Sequence, residues 1–384
     1  MMKTPIRLFT AVLLCGLSEV SCRNSLETPF IPPAPIQATA LPSPVFFTPT
    51  STWTATRTPT GPIPTPTPTN TPTVTPTGTL TATSTPTPFC VSWVNESSLP
   101  KGRLKPGMAQ ANGTLYVGGG YGPQTDGTTD MALAYLESYD PLANSWTDLP
   151  SMNPAVENPA CAAFGNIVYF FGGDDGVNVS GGVQGYVTTS TSWGTGNYVG
   201  FTPRTRARAA VLNNLIYVVG GYNTGISTLN GGYLGVMEAY DPMADSWTGK
   251  AGLGVAVADV GLASLNGILY AFGGVTHNGP ASFMAAYDPG SNSWSYKSSL
   301  PFSGGGDGFV ENGVLYAFSH ATDTVPTLPP TVYSYDPSTD SWTSHCSLPN
   351  PRAGFGAVAV GNSVFAIGGS NSPSNTGLNQ AGAF

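Results

Sequence analysis

Beyond residue 89 the chain is written as short apolar runs divided by polar, glycine-rich breaks. Ile167 to Phe171, Leu215 to Val219 and Ile268 to Phe272 are examples, rich in β-branched and aromatic side chains. Runs this short have the length of strands, and apolar residues at successive rather than alternate positions mean that both faces of each strand are covered. The runs close on a double glycine: Gly119-Gly120, Gly172-Gly173, Gly220-Gly221, Gly273-Gly274 and Gly368-Gly369. Glycine adopts backbone conformations that side chains forbid, which suits a sharp strand exit packed against a neighbour.

A second set of marks recurs at the same period. Tryptophans stand at 93, 146, 193, 247, 294 and 342, at intervals of 53, 47, 54, 47 and 48 residues. Seven residues before four of them lies Tyr-Asp-Pro, beginning at Tyr139, Tyr240, Tyr287 and Tyr335. Trp193 keeps its tyrosine, Tyr186, but has Val187-Thr188 in place of Asp-Pro. Asp-Pro opens a tight turn, because the carboxylate bonds backbone ahead of it and proline fixes φ. A period near 50 with four strands per unit is what a propeller blade requires.

A double glycine, a tyrosine 13 to 19 residues later and a tryptophan seven further on resembles the kelch repeat. The resemblance covers about residues 89 to 384 and implies an all-β fold, a six-bladed kelch-type β-propeller. Phe384 lies fifteen residues after Gly369, where other repeats place their tyrosine, so the sixth unit stops after its third strand. Trp93, in the run Cys90 to Val94, has no strands of its own before it. The N-terminal strand is therefore expected to close the last blade from outside, which hides sheet edges.

The first 88 residues have a different character. Lys3 and Arg7 precede a ten-residue apolar stretch, Leu8 to Leu17, which suits a signal peptide and is too short to span a bilayer. Glu19-Val20-Ser21-Cys22 resembles a bacterial lipobox, with Glu19 departing from the usual leucine, and makes Cys22 a candidate for lipidation. Residues 23–88 are rich in Pro and Thr, which alternate almost unbroken from Pro64 to Pro88 with no apolar face to bury, and are expected to form a disordered stalk. The expected organisation is a signal at 1–22, a linker at 23–88 and a propeller at 89–384, secreted or held at the outer cell surface.

Charge narrows the function classes. Only 9% of residues are charged and the net charge is -8, with no basic stripe, which argues against nucleic acid as a partner. A membrane enters only through the candidate lipid anchor. Of the five cysteines, Cys90, Cys161 and Cys346 fall in the repeat region, without metal-type spacing. They are expected to be free thiols, with Cys161 buried as a small apolar residue.

Strand direction alternates from the axis outward, a to d, so the d–a and b–c connections emerge on one face. The b–c connections vary while the c–d turns are uniform, and variable loops on a rigid scaffold carry recognition. Arg103, Arg204 and Arg352 each stand sixteen residues before a marker glycine, near the expected channel mouth on that face. A planar guanidinium fork suits carboxylate or phosphate ligands. The structural alternative is that these arginines pair with backbone or carboxylates to fasten the d–a corner. Arg206 and Arg208 make the sector around Arg204 the most basic. Tyr121 and Tyr222 directly follow double glycines and are candidates for stacking on a ligand or for covering the loop base. His277, in the fourth b–c connection, and His320, where the fifth repeat lacks its glycine pair, complete the candidate set. Asp174-Asp175-Gly176 with Asn178 offers oxygen ligands or a plain polar turn.

No nucleophile elbow, P-loop or zinc-protease motif occurs, and no cofactor is implied. The expected activity is recognition of a protein or glycan outside the cell. The enzyme alternative draws on kelch-like sialic-acid mutarotases and, less closely, on copper oxidases of the galactose oxidase kind, whose ligand set the chain does not obviously supply.

Overall fold

The computed structural model describes residues 93–123, 130–226, 230–319, 330–349, 352–370 and 381–383. The signal segment, the Pro/Thr stalk, Cys22 and His320 lie outside the described residues. Every regular element among those described is a strand.

Among the described residues the strands form six four-stranded antiparallel sheets and two two-stranded ribbons. In chain order, strands a to d of sheet I are Gly107–Ala111, Thr114–Gly118, Leu136–Asp140 and Ser145–Leu149. Sheet II has Ala160–Phe164, Ile167–Phe171, Val183–Val187 and Ser192–Thr195, and sheet III Arg208–Leu212, Leu215–Val219, Met237–Asp241 and Ser246–Gly249. Sheet IV has Gly261–Leu265, Ile268–Phe272, Met284–Asp288 and Ser293–Lys297, and sheet V Gly308–Glu311, Val314–Phe318, Thr331–Asp336 and Ser341–Ser347. Sheet VI takes strands a to c from Ala353–Val360, Ser363–Ser370 and Ala381–Ala383, and its outer strand is Val94–Glu96 from the other end of the chain. There Val94 lies opposite Ala383, Asn95 opposite Gly382 and Glu96 opposite Ala381.

The apolar runs become strands b, and their side chains fill the spaces between sheets. One cluster joins sheets II and III through Tyr169, Phe171, Ile216 and Tyr240. Comparable clusters lie between I and II, III and IV, IV and V, and V and VI. The cluster of Leu115, Val117 and Tyr139 with Val360, Phe365 and Ile367 brings sheet VI against sheet I. Each such side chain removed from water on both faces of its sheet contributes about 1.5–3 kcal/mol, which makes the inter-sheet spaces the core of the molecule. The fold is an all-β propeller.

The repeat marks bind neighbouring sheets. Tyr139 donates its hydroxyl to Asn144 at 2.9 Å, Tyr240 to Asp245 at 2.5 Å, Tyr287 to Asn292 at 2.8 Å and Tyr335 to Asp340 at 2.6 Å. Those acceptors also take a backbone N–H from the preceding sheet's exit: Ser97, Asn197, Ala251 and Ser298. The tryptophan of the same unit donates its indole N–H to that exit, as Trp146 does to the Ser97 carbonyl and Trp247 to Asn197. Asp140, Asp241, Asp288 and Asp336 accept backbone N–H groups two residues ahead, the turn that Asp-Pro predicts.

One expectation is corrected. Cys346, in strand d of sheet V, is disulfide-bonded, not free, to a partner outside the described residues. The physical reason lies in how the chain ends meet: Trp93 packs on Phe318 at 6.2 Å and joins the cluster containing Leu348. This brings the N-terminal segment against sheet V, where counting strands within separate sheets does not place it. Cys161 is a free thiol, and burial pushes its pKa up.

Candidate functional site at the channel mouth

Each double glycine docks on the segment leading into strand a of the next sheet. Gly120 donates its N–H to the Val156 carbonyl at 2.9 Å, Gly173 to Arg204 at 3.0 Å and Gly221 to Val257 at 2.8 Å, and Gly369 of sheet VI donates to Arg103 of sheet I at 3.1 Å. A Cβ on Gly119 would stand 2.5 Å from the Val156 carbonyl, so the first glycine of that pair is sterically required.

These contacts bury Arg103 and Arg204 completely. Arg103 pairs with Glu137 and donates to the Lys101 and Val117 carbonyls at 3.0 and 2.9 Å. Arg204 pairs with Glu238 at 2.5 Å and donates to the Thr202 and Val218 carbonyls at 2.8 and 3.0 Å. Arg352, also buried, reaches the Ala366 carbonyl at 3.4 Å, fourteen residues on, as its two counterparts do. All three guanidinium groups are internal fasteners of the d–a corner, with no surface to offer a ligand in this conformation.

Two residues beyond each arginine position the chain turns left-handed. Lys105, Asn158, Arg206 and Asp259 have φ of 50, 52, 58 and 51°, and Gly305 and Gly354 have 67 and 63°. Five of the six, in sheets VI, I, II, III and IV, are linked in turn by a belt of backbone bonds. Lys105 donates to Gly354 at 2.8 Å, Asn158 to Lys105 at 3.2 Å, Arg206 to Asn158 at 3.1 Å and Asp259 to Arg206 at 2.9 Å. The belt rims an axial cavity of about 110 Å³, whose walls include Lys105, Asn158, Cys161, Arg208, Asp259 and Asp307. Glycine, asparagine and aspartate tolerate this backbone, whereas lysine and arginine are held there at a cost of about 1–2 kcal/mol each. Lys105 and Arg206 take up this strain where glycine serves in sheets V and VI, and they place two cations at the mouth.

Two ion pairs cross this mouth, Arg206 with Asp259 at 2.5 Å and Arg208 with Asp307 at 3.0 Å. Burial works against the charge on Asp259, yet Arg206, aided by Lys105 and Arg208, holds its carboxyl below the usual carboxylate range. Tyr121 and Tyr222 sit half-buried just outside, each bridged by backbone bonds to the d–a segment, Tyr121 to Leu104 and Tyr222 to Thr205. The Arg206 guanidinium lies 5.8 Å from the Tyr222 ring centre, and Tyr222 meets Tyr233 edge-on at 5.2 Å. His277 is exposed at the tip of a two-stranded ribbon, Val275–Thr276 with Gly279–Pro280, against Gly231 of the neighbouring loop. The structure thus brings Tyr222 to the charged mouth beside Arg206, leaves Tyr121 and His277 on surrounding connections, and encloses the three arginines. Among the described residues no group of three or more His, Cys, Asp and Glu stands together as a metal site. Asp175 instead caps its own turn, accepting N–H groups from Val177 and Asn178.

Asp307 stands outside the belt; Lys105, Asn158 and Asp259 escape sequence reasoning because the residues at the belt position share a φ and not a side-chain type. The only local signal is their fixed offset from the double glycine.

Four-stranded sheets packed face against face beside a charged mouth define a β-propeller whose recurring Tyr, Trp and double glycine hold neighbour to neighbour. The Kelch motif matches residues 102–153, 203–253 and 351–381, and a second form of it matches 257–301. The chain is 30% identical over 193 residues to Kelch-like protein 35 of Mus musculus, covering 50% of this chain and 30% of that protein. It is 27% identical over 184 residues to Kelch-like protein 36 of Bos taurus, covering 47% and 29%. The chain thus spans less than a third of the length of these relatives. Over these stretches its repeats are kelch motifs.

Proposed function

We propose that the six sheets are the blades of one closed ring, and that this ring is an interaction module whose d–a and b–c face meets a protein outside the cell. The observation that carries the reading is the strained mouth, where Lys105 and Arg206 stand in left-handed positions that glycine fills elsewhere in the belt. Around it the b–c connections of three successive blades expose Met131, Val177 and Ile226. Cations at a mouth ringed by exposed apolar side chains suit a protein partner that offers an acidic group amid apolar contacts. Display outside the cell is supported by the apolar N-terminal segment, the Pro/Thr linker and the disulfide at Cys346, a bond that persists in oxidising compartments. Glycan recognition is the second reading, favoured by Tyr222 and Tyr233 at the base of one b–c connection.

Photo-crosslinking tests the choice of face. A benzophenone side chain placed at Val177 or Ile226 is expected to give protein adducts in the native host. The same group at Leu142 or Met243, on the c–d turns of the opposite face, should give none. Adducts arising chiefly from the c–d turns would overturn the assignment.

A further inference from the structure

Four successive sheets bring polar side chains to the wall of the cavity of about 110 Å³: Asn158 from sheet II, Arg208 from III, Asp259 from IV and Asp307 from V. The recognition reading rests on Lys105 and Arg206 at the rim and gives these four no task. Asn158 uses its main-chain N–H and carbonyl in the belt, with Lys105 and Arg206. Its side-chain amide, on a residue only 6% exposed, makes no hydrogen bond among the described residues. Polar side chains buried to this degree are bonded as a rule, so the partner of this amide belongs in the cavity.

The neighbouring charges are only partly used. Arg208 makes a single hydrogen bond, to Asp307 at 3.0 Å, out of the several N–H donors that a guanidinium carries. Asp259 takes both bonds from Arg206 on Oδ2, at 2.9 and 2.5 Å, which leaves Oδ1 unbonded among the described residues. The wall thus offers a guanidinium, an amide that both donates and accepts, and a carboxylate oxygen. Lys105, Arg206 and Arg208 supply positive charge here, and Asp259 and Asp307 negative. A bare anion would meet the carboxylates and a bare cation the three basic groups, whereas a molecule carrying both charges suits both sets. At about three-quarters of the roughly 150 Å³ that encloses a benzene, the space holds about five non-hydrogen atoms.

We propose that this cavity binds a small α-amino acid as its zwitterion, with the carboxylate on Arg208 and the Asn158 amide and the ammonium on Oδ1 of Asp259. In such a molecule one carbon separates the two charged groups, so both reach the wall within a space this small. Free glycine, the smallest of the class, matches the volume. Met108, Leu262 and Phe355 form the apolar part of the wall and suit nothing larger or more polar than a methyl group on the α-carbon. For a ligand of about five atoms the best affinities lie in the micromolar range, so glycine is expected to bind with a Kd between about 1 μM and about 1 mM. The site needs no protein partner and goes beyond the recognition reading.

Calorimetric titration of the full chain with glycine, glycolate and methylamine tests it. Glycine should give saturable heat. Glycolate, which lacks the ammonium, and methylamine, which lacks the carboxylate, should bind about tenfold more weakly or worse. Asn158→Gly should also weaken glycine about tenfold, and it is expected to fold, because glycine serves at this left-handed position in sheets V and VI. A readout on the native protein needs no variant: the side-chain amide resonances of Asn158 should shift on titration with glycine and stay in place with methylamine. No saturable heat with glycine up to about 10 mM, the result expected of a cavity that holds water alone, overturns the proposal. So does glycolate or methylamine binding as tightly as glycine, or an Asn158 amide that glycine does not move. No partner protein enters these measurements, so their failure and failure of the proposed face are separable.

Discussion

Arg103 shows how one residue type at one repeat position can be read correctly as a set and misplaced as a site. Three arginines at a constant distance from the double glycine were visible in the sequence, and so was the alternative that they fasten a corner. What decided between the two is a partner 34 residues on, in strand c: Glu137 for Arg103 and Glu238 for Arg204. Both glutamates stand two residues before the repeat tyrosine, a signal that local patterning did not connect to the arginines. A guanidinium without exposed surface is matched by three acceptors, so removing it strands Glu137 with only Lys101 at 3.5 Å. Arg103→Ala should therefore destabilise the protein by about 3 kcal/mol, the lower end of the usual cost of breaking a buried pair. Urea unfolding measures it, and a loss under 1 kcal/mol would contradict the fastening role.

At the scale of the element, the sequence was most informative where spacing is short and chemistry local. Tyr-Asp-Pro and the tryptophan seven residues later lie across from each other on strands c and d, Tyr139 opposite Trp146 and Tyr240 opposite Trp247. The ring pairs lie 4.9 and 5.0 Å apart. Between them a left-handed Asn or Asp receives the tyrosine hydroxyl and ties down the preceding sheet. The unit that lacked Asp-Pro also lacks this acceptor: Thr191 stands there with φ of 51°, and the buried Tyr186 hydroxyl has no partner. Thr191→Asn restores the group and suits the backbone better, so it is expected to stabilise the protein by about 1 kcal/mol. An unchanged or lowered unfolding midpoint would show that the tyrosine–Asx contact is not what joins the sheets. Cys346 was illegible for a different reason, since a disulfide depends on approach in space and not on spacing within a unit.

Over the whole molecule, the lesson of the ends is that each is incomplete alone. Ala381–Ala383 needs an outer neighbour and Val94–Glu96 an inner one, and each supplies the other. Ser97, just beyond, is held by Asn144 and Trp146 of sheet I, and Gly369 of sheet VI donates to Arg103. Tryptophan spacing made the shared sheet readable. The charged mouth was not, because its residues owe their place to a belt that exists only once neighbouring sheets are docked. The placement of recognition depends on that closure, since the belt passes from sheet VI to sheet I. Cysteines introduced together as Asn95→Cys and Gly382→Cys test it most directly, because opposite residues in an antiparallel pair lie within disulfide reach. Mass mapping of the oxidised protein should find peptides containing positions 95 and 382 joined to each other. Both introduced thiols remaining free under oxidation, with native cysteine pairing intact, would contradict the closed ring.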